Sequence, residues 1–225
     1  MDNPKKTAIV LGATGLVGEL LLELLLQDQR YHKVIVFSRR DFPVQHPKLE
    51  KIIGDLLDLQ TFSERFKADE VHCCVGTTKA KTPDRSMYKK IDYGIPVQAA
   101  ELCRINGIPT FIVISAMGAN HESSIFYNKV KGEMEREVLQ LGIRKTHILQ
   151  PSLIGGERKE KRPGELFFKK LMNAIDFLMI GPLRHYKTIA PESIAKAILW
   201  LANNPYEKER ITSEQLKTLA ENGTS

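Results

Sequence analysis

A chain of 225 residues, 42% hydrophobic and 27% charged, is long enough for one sizeable core and one α/β domain, with room for a small appended lobe. No run of about 18 apolar residues occurs, so no membrane-spanning helix is expected, and the opening MDNPKK lacks the apolar centre of a signal peptide. The formal charge of +6 suits an anionic ligand, but the basic residues are scattered, with no aromatic-interleaved block of the kind that reads nucleic acid. Cys73, Cys74 and Cys103 show no metal-ligand spacing, and their odd number argues against a disulfide framework. Reduced thiols in a cytoplasmic protein, without a metal, are the expectation.

The first element is an apolar strand over 8–11 that stops at Gly12. Gly12-Ala-Thr-Gly15-Leu-Val-Gly18 follows, and a helix pattern begins at once over about 16–27. Strand, glycine turn and helix in that order form the context of a dinucleotide-binding fingerprint. The glycines let the backbone turn tightly and approach a pyrophosphate, and the N–H groups at the positive helix end hold the anion. Gly12, Thr14, Gly15, Leu16, Val17 and Gly18 are therefore expected against a cofactor.

A second buried strand is expected over 33–37, ending in Ser38-Arg39-Arg40. An acidic residue at this junction binds the ribose hydroxyls of NAD, whereas an arginine accommodates the 2′-phosphate of NADP. No carboxylate precedes the arginines here. Arg39 reads as a forked donor to that phosphate, with Ser38 beside it and Arg40 as its neighbour or a surface charge. NADP(H) is thus favoured, with NAD(H) as the other option. A third strand over 49–53 leads into Gly54-Asp55-Leu56, expected beside the cofactor. Asp55 there can hydrogen-bond the adenine amino group or cap a short helix near Leu57.

A fourth strand over 70–75 runs into Gly76-Thr77-Thr78. Such a small-residue turn at the carboxyl end of a parallel strand lines the ligand crevice, which places Gly76 and Thr77 in its wall. A long helix is expected over 86–106, kinked or broken near Gly94-Ile-Pro96 and ended by Gly107. The fifth strand, 110–114, is the most apolar and ends at Ser115, a hydroxyl on the rim where a substrate would lie. Tyr127 and Lys131 follow at i, i+4 on a helix expected over 127–141, so they share one face. An ammonium close to a phenol favours its ionised form and pulls its pKa down from about 10. The phenol could then give a proton to a carbonyl and recover it in reverse. A sixth strand over 145–149 leads into a loop, Gln150-Pro-Ser-Leu-Ile-Gly-Gly-Glu-Arg, expected to close over the nicotinamide end. A helix over 163–179, an extended stretch over 186–190, a helix over 191–201 and a polar tail with an amphipathic turn or two near 213–220 complete the chain.

The segments GATGLVG at 12–18, SRR at 38–40, GDL at 54–56, VGTT at 75–78, VISAMGA at 113–119, YNKVKGEME at 127–135 and PSLIGGER at 151–158 together resemble the short-chain dehydrogenase/reductase superfamily. Within it the chain is similar to the atypical NAD(P)H-binding branch that includes the Tat-interacting-protein-like oxidoreductases, over nearly its whole length. The resemblance implies a Rossmann-type, doubly wound parallel α/β sheet. It implies one NAD(P)-binding domain over 1–225, with a small substrate lobe formed by about 151–190. It also implies hydride transfer between a nicotinamide and a carbonyl or alcohol of a small organic molecule. Tyr127 would be the general acid in reduction and base in oxidation. Lys131 would lower the Tyr127 pKa and hold the nicotinamide ribose, and Ser115 would hydrogen-bond the substrate oxygen. Two positions depart from the pattern: Asp92 stands where many relatives carry Asn, and Ser115-Ala116 where some have two serines. Atypical members of the superfamily also include NADPH-binding regulators and scaffolds with little turnover, which is the alternative function.

Overall fold

The structure, a computed structural model, describes residues 4–155 and 188–222. The helix expected over 163–179 and most of the expected substrate lobe lie outside the described residues. Seven strands, β1 (Lys6–Leu11), β2 (Tyr31–Ser38), β3 (Leu49–Ile53), β4 (Glu70–Cys73), β5 (Thr110–Ile114), β6 (Lys145–Gln150) and β7 (Arg210–Thr212), form one parallel sheet in the order β3-β2-β1-β4-β5-β6-β7. The strand order reverses between β1 and β4, and in open sheets of this kind the ligand crevice lies at that switch point, beyond the carboxyl ends of the strands. The doubly wound Rossmann-type fold expected from the sequence is present, and all six expected strands are in place.

Both faces of the sheet are covered, which is why β1, β2 and β5 read as continuous apolar runs. Along β1, Ala8 and Val10 point into one core and Ile9 and Leu11 into the other. The first core is closed by α1 (Leu16–Gln27), α5 (Pro191–Asn203) and α6 (Ser213–Asn222). The second is closed by a 3-10 segment (Leu56–Arg65), α3 (Ile95–Ile105) and α4 (Phe126–Gln140). The helix expected over 86–106, kinked or broken near Gly94-Ile-Pro96, is broken into three pieces: α2 (Arg85–Lys89), a π turn (Lys90–Gly94) and α3. The physical reason is Pro96, which has no N–H to give to the carbonyl of Asp92 four residues back. The ladder widens, and the Ile95 N–H bonds the Lys90 carbonyl instead.

The amino-terminal edge of the sheet carries a buried polar network. Glu70 is 1% exposed. It accepts hydrogen bonds from Tyr31 Oη at 2.7 Å and His72 Nε2 at 2.9 Å, and pairs with Lys6 Nζ at 2.9 Å. Lys6 also donates to the Ala202 carbonyl, and Lys145 to those of Leu201 and Asn204. Two ammonium groups thus meet the negative end of α5, a favourable placement, and dock that helix on the sheet. Burial would push the Glu70 carboxyl up, but His72, Lys6 and Tyr31 outweigh it and hold the group down at about 2. A carboxyl lowered on folding contributes stability above its unfolded pKa and loses it as pH falls through the folded value. The wild type should therefore lose about 3 kcal/mol between roughly pH 5 and pH 2 through this group. Urea unfolding of wild type and Glu70→Gln against pH checks this. The two stabilities should converge toward pH 2, and parallel curves would remove the network from the account.

Candidate active site

The first wall of the site is the glycine turn. Gly12 has a φ of +83°, and a Cβ there would lie 2.8 Å from the Cys74 carbonyl carbon. A Cβ on Gly18 would lie 2.1 Å from the Gly12 oxygen. The turn closes with Gly15 N–H to Gly12 O at 3.0 Å, and α1 begins with Glu19 N–H to Gly15 O at 2.9 Å. No side chain caps the N-terminus of α1, so its first N–H groups face the crevice, as an anion site requires.

This turn borders a cleft of about 720 Å³ at the carboxyl edge of β1, β4 and β5. Thr14, Gly15, Leu16 and Val17 line it together with Gly76, Thr77, Ser115, Tyr127 and Lys131. The sequence-predicted proton-transfer group and most of the fingerprint thus meet in one cavity. The size, the uncapped helix end and a backbone approach that only glycine permits fit a dinucleotide.

Ser38, Arg39, Arg40, Asp55 and Leu56 lie outside that cleft wall, at the carboxyl ends of β2 and β3. Arg39 and Arg40 are exposed. The Ser38 hydroxyl donates to the Arg40 carbonyl at 2.8 Å, which folds this loop back on itself. Asp55 makes the cap that was one of its two readings, accepting from Leu57 N–H at 3.0 Å. The Leu56 side chain is buried in the second core, which leaves its backbone as the part that can face a cofactor.

Lys131 is 3% exposed, and its ammonium lies 2.9 Å from Asp92 Oδ1 and 3.3 Å from the Ile114 carbonyl. The π turn points Asp92 into the site, where its other oxygen accepts the Thr77 N–H at 2.8 Å. Burial works against the charge on Lys131, but Asp92 and Tyr127 raise its pKa above the usual value. The Tyr127 phenol departs from expectation: its pKa is raised, not lowered. Desolvation within the cleft pushes it up, Lys131 pulls it down, and Asp92 pushes it up again.

Ser115 also departs from expectation. It reaches the cleft wall, but its hydroxyl donates to Glu135 Oε1 at 2.5 Å. Glu135 is 2% exposed and also accepts from Gln150 Nε2 at 2.9 Å and Arg210 Nε at 2.9 Å. A serine hydroxyl that donates its one hydrogen bond to Glu135 does not at the same time donate to a substrate oxygen. Glu135 was not expected in the site, and Asp92 was noted only as a departure from the family pattern. For Glu135 the signal was its spacing, four residues after Lys131 on the same helix face.

The family model described as NAD(P)H-binding matches residues 12–154. Protein FMP52 of Candida albicans is 36% identical over 161 residues, 68% of this chain and 69% of that protein. FMP52 of Debaryomyces hansenii is 30% identical over 206 residues, 88% of each. Protein HTATIP2 of Rattus norvegicus is 29% identical over 76% of this chain and 72% of its own length. Among solved structures, the Bordetella bronchiseptica enzyme WbmH in complex with NAD+ superposes with a TM-score of 0.67, at 15% identity, over 90% of this chain and 74% of that one. A UDP-N-acetylglucosamine 4-epimerase from Methanobrevibacter ruminantium does so at 0.69, with 16% identity, over 93% and 76%. At those identities the superpositions show the shared fold. The names of the fungal relatives overturn the cytoplasmic expectation, because both are mitochondrial proteins by name. Among the described residues, no helix is long and apolar enough to cross a membrane. With the family model over most of its length and relatives of this identity over two thirds or more of theirs, the chain belongs to the NAD(P)H-binding family, an atypical branch of the short-chain dehydrogenase/reductase superfamily.

Proposed function

We propose that this protein is an oxidoreductase that favours NADP(H) and acts on a carbonyl or alcohol of a small organic substrate, within one cofactor-binding domain. The observation that carries this reading is the single cleft joining the uncapped glycine turn to Tyr127 and Lys131. A bound nicotinamide would supply or accept the hydride. Gly12, Thr14, Gly15, Leu16, Val17 and Gly18 hold the pyrophosphate end through backbone approach. Gly76 and Thr77 form part of the wall, and Lys131 holds the ribose. Tyr127 gives its proton to the oxygen of the substrate in reduction. With the Ser115 hydroxyl hydrogen-bonded to Glu135, the direct contact to that oxygen falls to Tyr127, and Ser115 braces the floor of the site.

The preference for NADP(H) rests on Arg39. Its guanidinium, exposed at the end of β2, makes no ion pair among the described residues, and it is the donor for a 2′-phosphate. Titration of the purified protein with NADPH and NADH tests this. NADPH should bind more tightly, and Arg39→Ala should weaken NADPH by about tenfold or more while changing NADH little, the loss of one charge-assisted pair. Equal losses for both would remove the phosphate clamp.

One observation favours a second reading, an NADPH-binding regulator or scaffold with little turnover. The engagement of Ser115 by Glu135, together with Ala116 in the neighbouring position, leaves a thinner set of donors for a developing alkoxide than a serine free to donate would supply. Tight NADPH binding with no turnover across a carbonyl panel would establish it.

A further inference from the structure

Asp92 places a full carboxylate charge at the centre of the site, against the Lys131 ammonium. Its carboxylate is 1% exposed. One oxygen takes the Thr77 N–H and the other lies 2.9 Å from the Lys131 ammonium, which has no other charged partner among the described residues. An asparagine would keep the Thr77 bond and lose the charge. We propose that Asp92 is a positioning residue that ties Lys131 to the π turn and cancels its charge. Tyr127 then works as a proton donor, and the site runs as a carbonyl reductase, with alcohol oxidation confined to alkaline pH. This rests on the reading of the cleft as a hydride-transfer site.

At a few ångströms, a neutralised ion pair acts on a phenol as a dipole and no longer as a cation. Among the described residues, the groups whose charge acts on the pair Tyr127–Lys131 are Asp92 from the π turn, Tyr88 from α2 and Cys73 from β4, while Lys81, Glu19, Glu23 and Glu192 line the same cleft. Burial pushes both Tyr88 and Cys73 up, the thiol to about 11, so both are neutral near pH 7 and neither substitutes for Asp92. On the β5 side, Lys131 donates to the Ile114 carbonyl, which adds no charge. The tyrosinate form needed to take a proton from an alcohol is therefore scarce near neutral pH. The phenol form needed for reduction is fully populated.

The test reads the phenol itself, without turnover. Tyrosinate absorbance of the protein is titrated against pH, with the Tyr127→Phe protein subtracted to isolate one ring. Asp92→Asn should lower the Tyr127 midpoint by about one to two pH units. The double variant Asp92→Asn/Lys131→Met leaves no unpaired buried charge. It gives a second reading should the single variant fold poorly: its midpoint should lie below that of Lys131→Met alone. An unchanged midpoint in both comparisons overturns the role of Asp92. Alcohol oxidation, followed in parallel, should rise about tenfold per pH unit in wild type and level off at lower pH in Asp92→Asn. Shifted midpoints without any turnover would leave Asp92 standing and remove the hydride-transfer reading beneath it.

Discussion

Replacing Tyr127 by phenylalanine is expected to cut NADPH-dependent carbonyl reduction by about 10²- to 10⁴-fold, the usual contribution of a positioned general acid, while leaving NADPH affinity and folding nearly unchanged. The size follows from the cleft. The Ser115 hydroxyl is hydrogen-bonded to Glu135, and Lys131 is held by Asp92 and the Ile114 carbonyl. The Tyr127 phenol, 39% exposed and in the cleft wall, is the remaining acid with access to a bound carbonyl among the residues predicted to act. The ring stays in place because its edge packs on Tyr88, with centroids 6.3 Å apart, and phenylalanine preserves that contact. Steady-state rates on a carbonyl panel, with NADPH dissociation constants measured on the same protein, separate the outcomes. Turnover retained within a few-fold would take the acid role from Tyr127. No turnover in wild type, with NADPH bound tightly, would favour the scaffold reading.

The fold was legible because a parallel sheet covered on both faces leaves a simple trace. β1, β2 and β5 each hold a continuous apolar run that stops at a glycine or serine, and β3, β4 and β6 are shorter or mixed but bounded by polar or glycine turns. The limits of α1 follow directly from the glycine turn. What stayed hidden was short or electrostatic. β7 has three residues, of which only Ile211 is buried, and no periodicity can be read from one apolar position. The π turn was visible as a kink at Gly94-Ile-Pro96, but its consequence, the aim of Asp92 at Lys131, depends on where the widened backbone carries that side chain. The expectation for Tyr127 failed in sign for the same reason. The i, i+4 spacing shows the cation but not the carboxylate that answers it from another element, nor the desolvation of the cleft. Ser115 repeats the lesson, because its partner Glu135 lies twenty residues away and is itself committed to Arg210 from β7.

The second large effect concerns the glycine turn, where two neighbouring substitutions should part company. Gly18→Ala places a methyl group 2.1 Å from the Gly12 oxygen and 2.8 Å from its carbonyl carbon. Both atoms are backbone, so the turn and the first turn of α1 must separate. Overpacking of this kind costs about 1–3 kcal/mol, or about 2–10 °C in melting temperature for a domain of this size. The displaced turn should also lose NADPH affinity by tenfold or more. At Gly15→Ala the new methyl meets the Gly12 oxygen at 3.2 Å, a contact that a few tenths of an ångström relieve. Gly15 is exposed on the cleft side, in extended backbone with φ −88°, so alanine fits the chain but stands where a pyrophosphate would approach. Gly15→Ala should therefore melt close to wild type and still bind NADPH at least tenfold more weakly. Thermal unfolding and NADPH titration on both variants decide the matter. Affinity lost in proportion to stability in both would make the turn a packing device. Affinity lost at Gly15 with stability intact would tie the turn to the anion, because the added methyl would then have nothing to obstruct except the bound phosphates.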